Sequence, residues 1–222
     1  INYNTDAIIK LYMVMGGIPF YLDQLDPSES LDQAIDRLFF RKKAVLKLEF
    51  DELFVSLFGS SRTYEHIVKI LSEHAYGLDR NTLSKLSKIS SGGTLSNNID
   101  ELEAAGFITP YIPHGKTKRD IIYKLTDPYI LFYLKYVHKT EVKTKNIWHY
   151  LTNTPSWHAW SGLAFENLCM LHISEIKQQL GISGVFSTES AWRHKGDDTM
   201  DGAQIDLLID RSDRIINICE IK

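Results

Sequence analysis

Apolar residues recur with a helical period at Leu31, Ile35, Leu38 and Phe39, and again at Tyr64, Ile67, Val68, Leu71 and Ala75, so both stretches predict helices with one inward face. Breaks at Gly16-Gly17-Ile18-Pro19 and Asp26-Pro27-Ser28 make residues 1–58 a small helical unit. Thr63 is the expected cap of the next helix, and Asp79 of one carrying Leu83, Leu86 and Ile89. The turn Ser90-Ser91-Gly92-Gly93 leads to a third helix with Leu95, Ile99 and Leu102, capped by Thr94 and closed by Gly106. Residues 107–111 and 121–125 read as strands flanking a polar loop, and residues 129–137 as an apolar, aromatic helix that packs between domains. Beyond a boundary at residues 152–155, residues 157–180 read as one apolar helix and residues 185–192 as a strand. Residues 205–210 and 214–222 then form a hairpin turned at Arg211-Ser212-Asp213.

The order helix, helix, turn, helix, strand, strand over residues 63–126 predicts a winged helix-turn-helix. Thr94, Ser96, Asn97 and Asn98 at the front of its third helix are uncharged hydrogen-bonding residues suited to base edges. Lys116, Lys118 and Arg119, with His114, form a basic wing able to neutralise a few phosphates. Asp100, Glu101 and Glu103 on the same third helix oppose a DNA backbone, so the unit also reads as a spacer or protein-contact module.

Side chains two apart in a strand share a face, so Glu220 and Lys222 project together, and the short turn brings Asp206 beside Glu220. Two carboxylates suit a hard cation such as Mg2+ or Mn2+ that keeps open positions for water and a phosphate. The lysine beside them can orient the attacking water. Glu166 lies among Leu163, Phe165, Leu168 and Leu171 on the helix before these strands, and a carboxylate there calls for a cation or a place at the rim. The same charges also fit a solvated edge hairpin.

This order of a helix with Glu166, a strand, and two strands carrying Asp206 and Glu220-Ile221-Lys222 resembles the restriction-endonuclease-like PD-(D/E)xK fold. More closely, Trp160-Ser161-Gly162-Leu163-Ala164-Phe165-Glu166, Gln204-Ile205-Asp206-Leu207-Leu208 and Cys219-Glu220-Ile221-Lys222 resemble the nuclease-like domain at the C-terminus of a family of archaeal and bacterial AAA+-type ATPases. The resemblance implies Asp206 and Glu220 as metal ligands, Lys222 as the catalytic lysine, Glu166 as the helix acid and Gln204 as a residue lining the site. It also implies a domain that continues past Lys222, and a lid region around Met15-Gly16-Gly17-Ile18-Pro19-Phe20-Tyr21-Leu22. The ATPase core would lie upstream, and ATP would bind only there. No G-x-x-x-x-G-K-[ST] loop occurs in this chain, and Gly115-Lys116-Thr117 follows a strand rather than opening a helix.

Composition leaves these readings intact. At 222 residues, with 44% hydrophobic and 24% charged residues, the chain can hold two or three small domains, expected at residues 1–58, 59–150 and 151–222. A net charge of −3 gives no global attraction to DNA. Two cysteines in apolar surroundings point to a reducing cytoplasm, and no run reaches transmembrane length. No spacing of the eight histidines suggests zinc, and no serine stands in a nucleophile elbow. The expected protein is therefore α+β and multidomain: a helical lid remnant, a winged helix and an α/β nuclease-like domain acting on DNA, with self-association left open. The alternative is a DNA-binding or protein-interaction module whose nuclease fold is only scaffold.

Overall fold

The computed structural model describes residues 3–60, 62–140, 147–194, 196 and 201–222, and every site candidate named above lies among them. The chain is α+β, with two small antiparallel sheets set among helices.

Helix α1 (Thr5–Met15) starts where the Asn4 side chain accepts the Ala7 amide and stops at Gly16, whose φ of 69° few side-chain-bearing residues adopt. A one-turn α2 (Pro19–Leu22) follows. Helix α3 (Leu31–Ile35) opens on a capping box between Ser30 and Gln33 and passes into a π-helical turn, Asp36–Phe40. That wider turn buries Leu38, Phe39 and Phe40 in succession. Helix α4 (Val45–Phe58) completes the N-terminal part.

Helices α5 (Thr63–Ser72), α6 (Arg80–Ser87) and α7 (Gly93–Ala104) come next, with the short strand β1 (Leu78–Asp79) before α6. Asp79 caps α6 as expected, accepting from Asn81 and Thr82. The other two starts differ. Helix α5 opens at Thr63 itself, and α7 opens after Gly92, which leaves Thr94 inside the first turn. Strands β2 (Ile108–Tyr111) and β3 (Ile122–Leu125) pair antiparallel, and β1 adds to β3, giving the order β1-β3-β2. Gly77 makes this join. A Cβ there would lie 2.6 Å from the Tyr123 carbonyl oxygen, and the backbone has φ 77°. Gly77→Ala is expected to destabilise the fold by about 2 kcal/mol in chemical denaturation, from backbone strain and the clash. A loss under about 0.5 kcal/mol would mean the turn moves aside freely.

The aromatic run forms α8 (Pro128–Phe132), capped by Asp127, and continues as a second π turn, Tyr133–Val137. Helix α9 (Ile147–Thr152) is held to the N-terminal part by Trp148, whose backbone amide donates to Asp36 at 2.9 Å and whose indole donates to Asp32 at 2.7 Å. Helix α10 (Pro155–Leu171) begins at the Thr154 cap with proline in its first turn. The single helix expected over residues 157–180 is divided. His172 leaves helical geometry and sets its ring edge-on to Tyr12, and α11 (Ile173–Gln179) follows.

Strands β4 (Ser187–His194), β5 (Ala203–Arg211) and β6 (Ile216–Cys219) form the second sheet in the order β4-β5-β6. The last strand is shorter than the residues 214–222 expected. Arg214 has φ 68° and closes the turn, and beyond Cys219 the Ile221 amide donates to the Asp206 carboxylate instead of to a ladder carbonyl. A large apolar core runs from Leu11 to Ala164 and draws on all three expected segments. Its aromatic centre joins Phe39, Phe132, Tyr136, Trp148, Trp157 and Trp160. A smaller core of Ile182, Leu207 and Ile209 sits under the second sheet, with Met170, Ile173, Cys219 and Ile221 packed on it.

Candidate functional site

The two sheets meet across a cavity of about 260 Å3, and α10 closes it on one side. Alternation decides which strand residues reach it. Thr109 and Tyr111 on β2, with Lys124 and Thr126 at β3, share one face because Thr109 pairs with Lys124. From α10 come Glu166, Asn167 and Met170, which lie together on one side of the helix. The second sheet contributes three consecutive residues, Ala191, Trp192 and Arg193, where strict alternation would allow two. A register shift between Ser190 and Trp192 accounts for this, since a bulge re-aims side chains at a sheet edge. Gln204 and Asp206 on β5 complete the wall.

Asp206 is held at both oxygens. Gln204 Nε2 donates to Oδ1 at 2.8 Å, and the Ile221 amide donates to Oδ2 at 3.0 Å. Tyr76 spans the two sheets: its hydroxyl reaches Gln204 at 3.5 Å, and the Arg193 guanidinium lies 4.0 Å over its ring. The Tyr111 hydroxyl donates to the Tyr76 carbonyl. Asn167 is 3% exposed. Its amide nitrogen donates to the Thr126 carbonyl at 2.7 Å, while its Oδ1 has no hydrogen-bond partner among the described residues.

Burial and like charge act together on Glu166. Desolvation pushes its carboxyl pKa up, Asp206 pushes it further, and Lys124 pulls it back. Desolvation in turn lowers Lys124, against the attraction of Glu166, and both desolvation and Glu166 raise the Cys169 thiol. A carboxyl with a raised folded pKa contributes stability that is present below its unfolded value and is lost as pH rises through the folded one. Lys124→Met removes the cation that lowers Glu166. Its carboxyl should then titrate at higher pH than in the parent chain, as followed by carbon-detected NMR of the glutamate side chains. An unmoved or lowered midpoint would show that the two groups are not coupled.

Of the residues expected at a nuclease site, Glu166, Gln204 and Asp206 line one cavity. Glu220 and Lys222 do not line it. They pair with each other at 2.9 Å beside it, 71% and 79% exposed. The strand pairing ends at Leu207 and Cys219, one residue short of Asp206 and Glu220. Among the described residues, no three histidine, cysteine, aspartate or glutamate side chains gather as a metal cage. The local donor set is two mutually repelling carboxylates and an amide, which fits a hard cation that keeps most of its waters.

The residues expected to read DNA divide by burial. Thr94 and Asn97 are exposed, Ser96 accepts a hydrogen bond from Arg80, and Asn98 is 7% exposed on the inner face of α7. Lys116, Lys118 and Arg119 are exposed on the loop between β2 and β3, where Thr117 and Asp120 form a capping box. Sequence reasoning passed over Lys124, Arg193 and Trp192. The one available signal was Lys124, a lone charge between Tyr123 and Leu125 in an apolar strand.

No helix among the described residues is long and apolar enough to cross a membrane. Comparison with protein-family models, with curated proteins and with solved structures returned no match.

Proposed function

We propose that this chain is a DNA-processing part of an AAA+-type ATPase, and that α10 with the second sheet forms a PD-(D/E)xK nuclease-like domain. The observation that carries this reading is the convergence of Glu166 from a helix and Asp206 from a central strand on one cavity, with the backbone before Lys222 tied to Asp206. In this reading Asp206 and Glu220 hold Mg2+ or Mn2+, Gln204 fixes the Asp206 carboxylate, and Glu166 supports the site. A bound divalent cation would lower the pKa of a coordinated water and offset charge on the phosphoryl oxygens. Lys222, one residue beyond the Ile221 amide, would orient that water once freed from its solvent-exposed pairing with Glu220.

Helices α5 to α7 with β1 to β3 fit a winged helix, and residues 1–58 fit the lid region of such an ATPase. Lys116, Lys118 and Arg119 then contact phosphate, and the exposed Thr94 and Asn97 face the bases. ATP binds only in the upstream core of the parent protein. A second reading, scaffold without turnover, draws on one observation: Lys222 engages Glu220 in solvent, outside the cavity. Incubating plasmid and single-stranded DNA with Mg2+ or Mn2+ separates the two. Product that disappears in an Asp206 variant supports the nuclease, and binding without product supports the scaffold.

A further inference from the structure

Beside Asp206, the cavity has features that phosphate chemistry leaves unused. At about 260 Å3 it is smaller than the roughly 300–1,000 Å3 of typical small-ligand sites, so a duplex cannot enter, while one planar heterocycle can. Tyr111 from the first sheet and Trp192 from the second offer ring surface, and Met170 and Pro113 add apolar surface. Lys124 lines this apolar setting, and its ammonium is a donor without a described hydrogen-bond partner. Base carbonyls and ring nitrogens supply acceptors for such a lysine.

Position adds to this. Arg193, stacked on Tyr76, brings a cation to the same cavity wall as the apolar surfaces, where a sugar-phosphate backbone leaving the cavity would find it. Stacking on aromatic rings beside cationic contacts is how unpaired nucleotides are held without regard to duplex geometry.

We propose that the cavity between the two sheets receives one unpaired nucleobase, so that the chain prefers single-stranded or bulged DNA to intact duplex. This rests on the nuclease reading only for its consequence: the held base sets a neighbouring phosphate at Asp206.

Binding can be measured apart from cleavage. Fluorescence anisotropy of the 222-residue chain, with chelator present, would compare a labelled single strand, a blunt hairpin duplex and the same duplex with one bulged nucleotide. The single strand and the bulge should bind about tenfold tighter than the blunt duplex. Ala191→Phe, which fills the cavity, and Trp192→Leu, which removes a ring, should each bring that ratio close to one and leave duplex binding as it was. Two variants are used so that misfolding of one, seen by circular dichroism, leaves the other to decide. Equal affinity for all three DNAs, or a preference that survives in the folded variants, overturns the proposal. Repeating the comparison with Mg2+ separates the two claims. Preference without product keeps the base site and removes the nuclease. Asp206-dependent product made equally fast from duplex and single strand keeps the nuclease and removes the base site.

Discussion

Asp206→Asn should lower metal-dependent DNA cleavage by about 100- to 1,000-fold, with the fold retained. The substitution is nearly isosteric. Its single carbonyl oxygen can still accept the Ile221 amide, so the end of the hairpin stays in place, but the charge that would hold a cation is gone. Gln204→Ala should cost less, about 10- to 100-fold, because Gln204 acts on Asp206 through one hydrogen bond at 2.8 Å. Initial rates of product formation from a labelled single strand, with thermal melts as a control on folding, test both. If purified Asp206→Asn cuts at more than half the parent rate, Asp206 is not a metal ligand.

Phe132→Ala should destabilise the chain by about 3–5 kcal/mol, lowering the melting temperature by roughly 6–20 °C. Phe132 is fully buried, with ring centroids of Phe39, Phe40, Tyr136, Trp148 and Trp160 within 5.0–6.1 Å. Removing its ring takes away apolar transfer free energy and several edge-to-face and tilted contacts at once. The matched control is Phe186→Ala, at a side chain 77% exposed, which should stay within about 0.5 kcal/mol. Urea or guanidinium titrations measure both. A Phe132→Ala loss below about 1 kcal/mol would mean the aromatic cluster is not the common support of the helical layers.

Much of the helix and strand order was legible because it follows from periodicity. Leu83 and Leu95 mark α6 and α7, and the apolar alternation of residues 205–210 marks β5. The failures have local causes. A period of 3.6 cannot announce a π turn, so the widened stretches at Asp36–Phe40 and Tyr133–Val137 read as ordinary helix. Asn98 is expected among the base-reading residues, yet it lies three residues after Leu95 and four before Leu102 and so shares their buried face of α7. The end of β6 was overextended because a main-chain amide found a side-chain carboxylate, which no strand propensity reports. At the site, Glu166 and Asp206 stood out as charges in apolar runs. Arg193 became visible only when the β2–β3 face and the bulge in β4 met over α10, whereas Lys124 is a lone charge in an apolar strand.

The position of α10 has a mechanical consequence. Its first half carries Trp157 and Trp160 into the aromatic core, and six and seven residues beyond Trp160 the same rod presents Glu166 and Asn167 to the cavity. A helix is stiff over that length, so the acid at the cavity is anchored by indoles in the aromatic core. Severing the chain at residue 150 would strand those two tryptophans on an exposed surface and leave Glu166 on an unmoored lever.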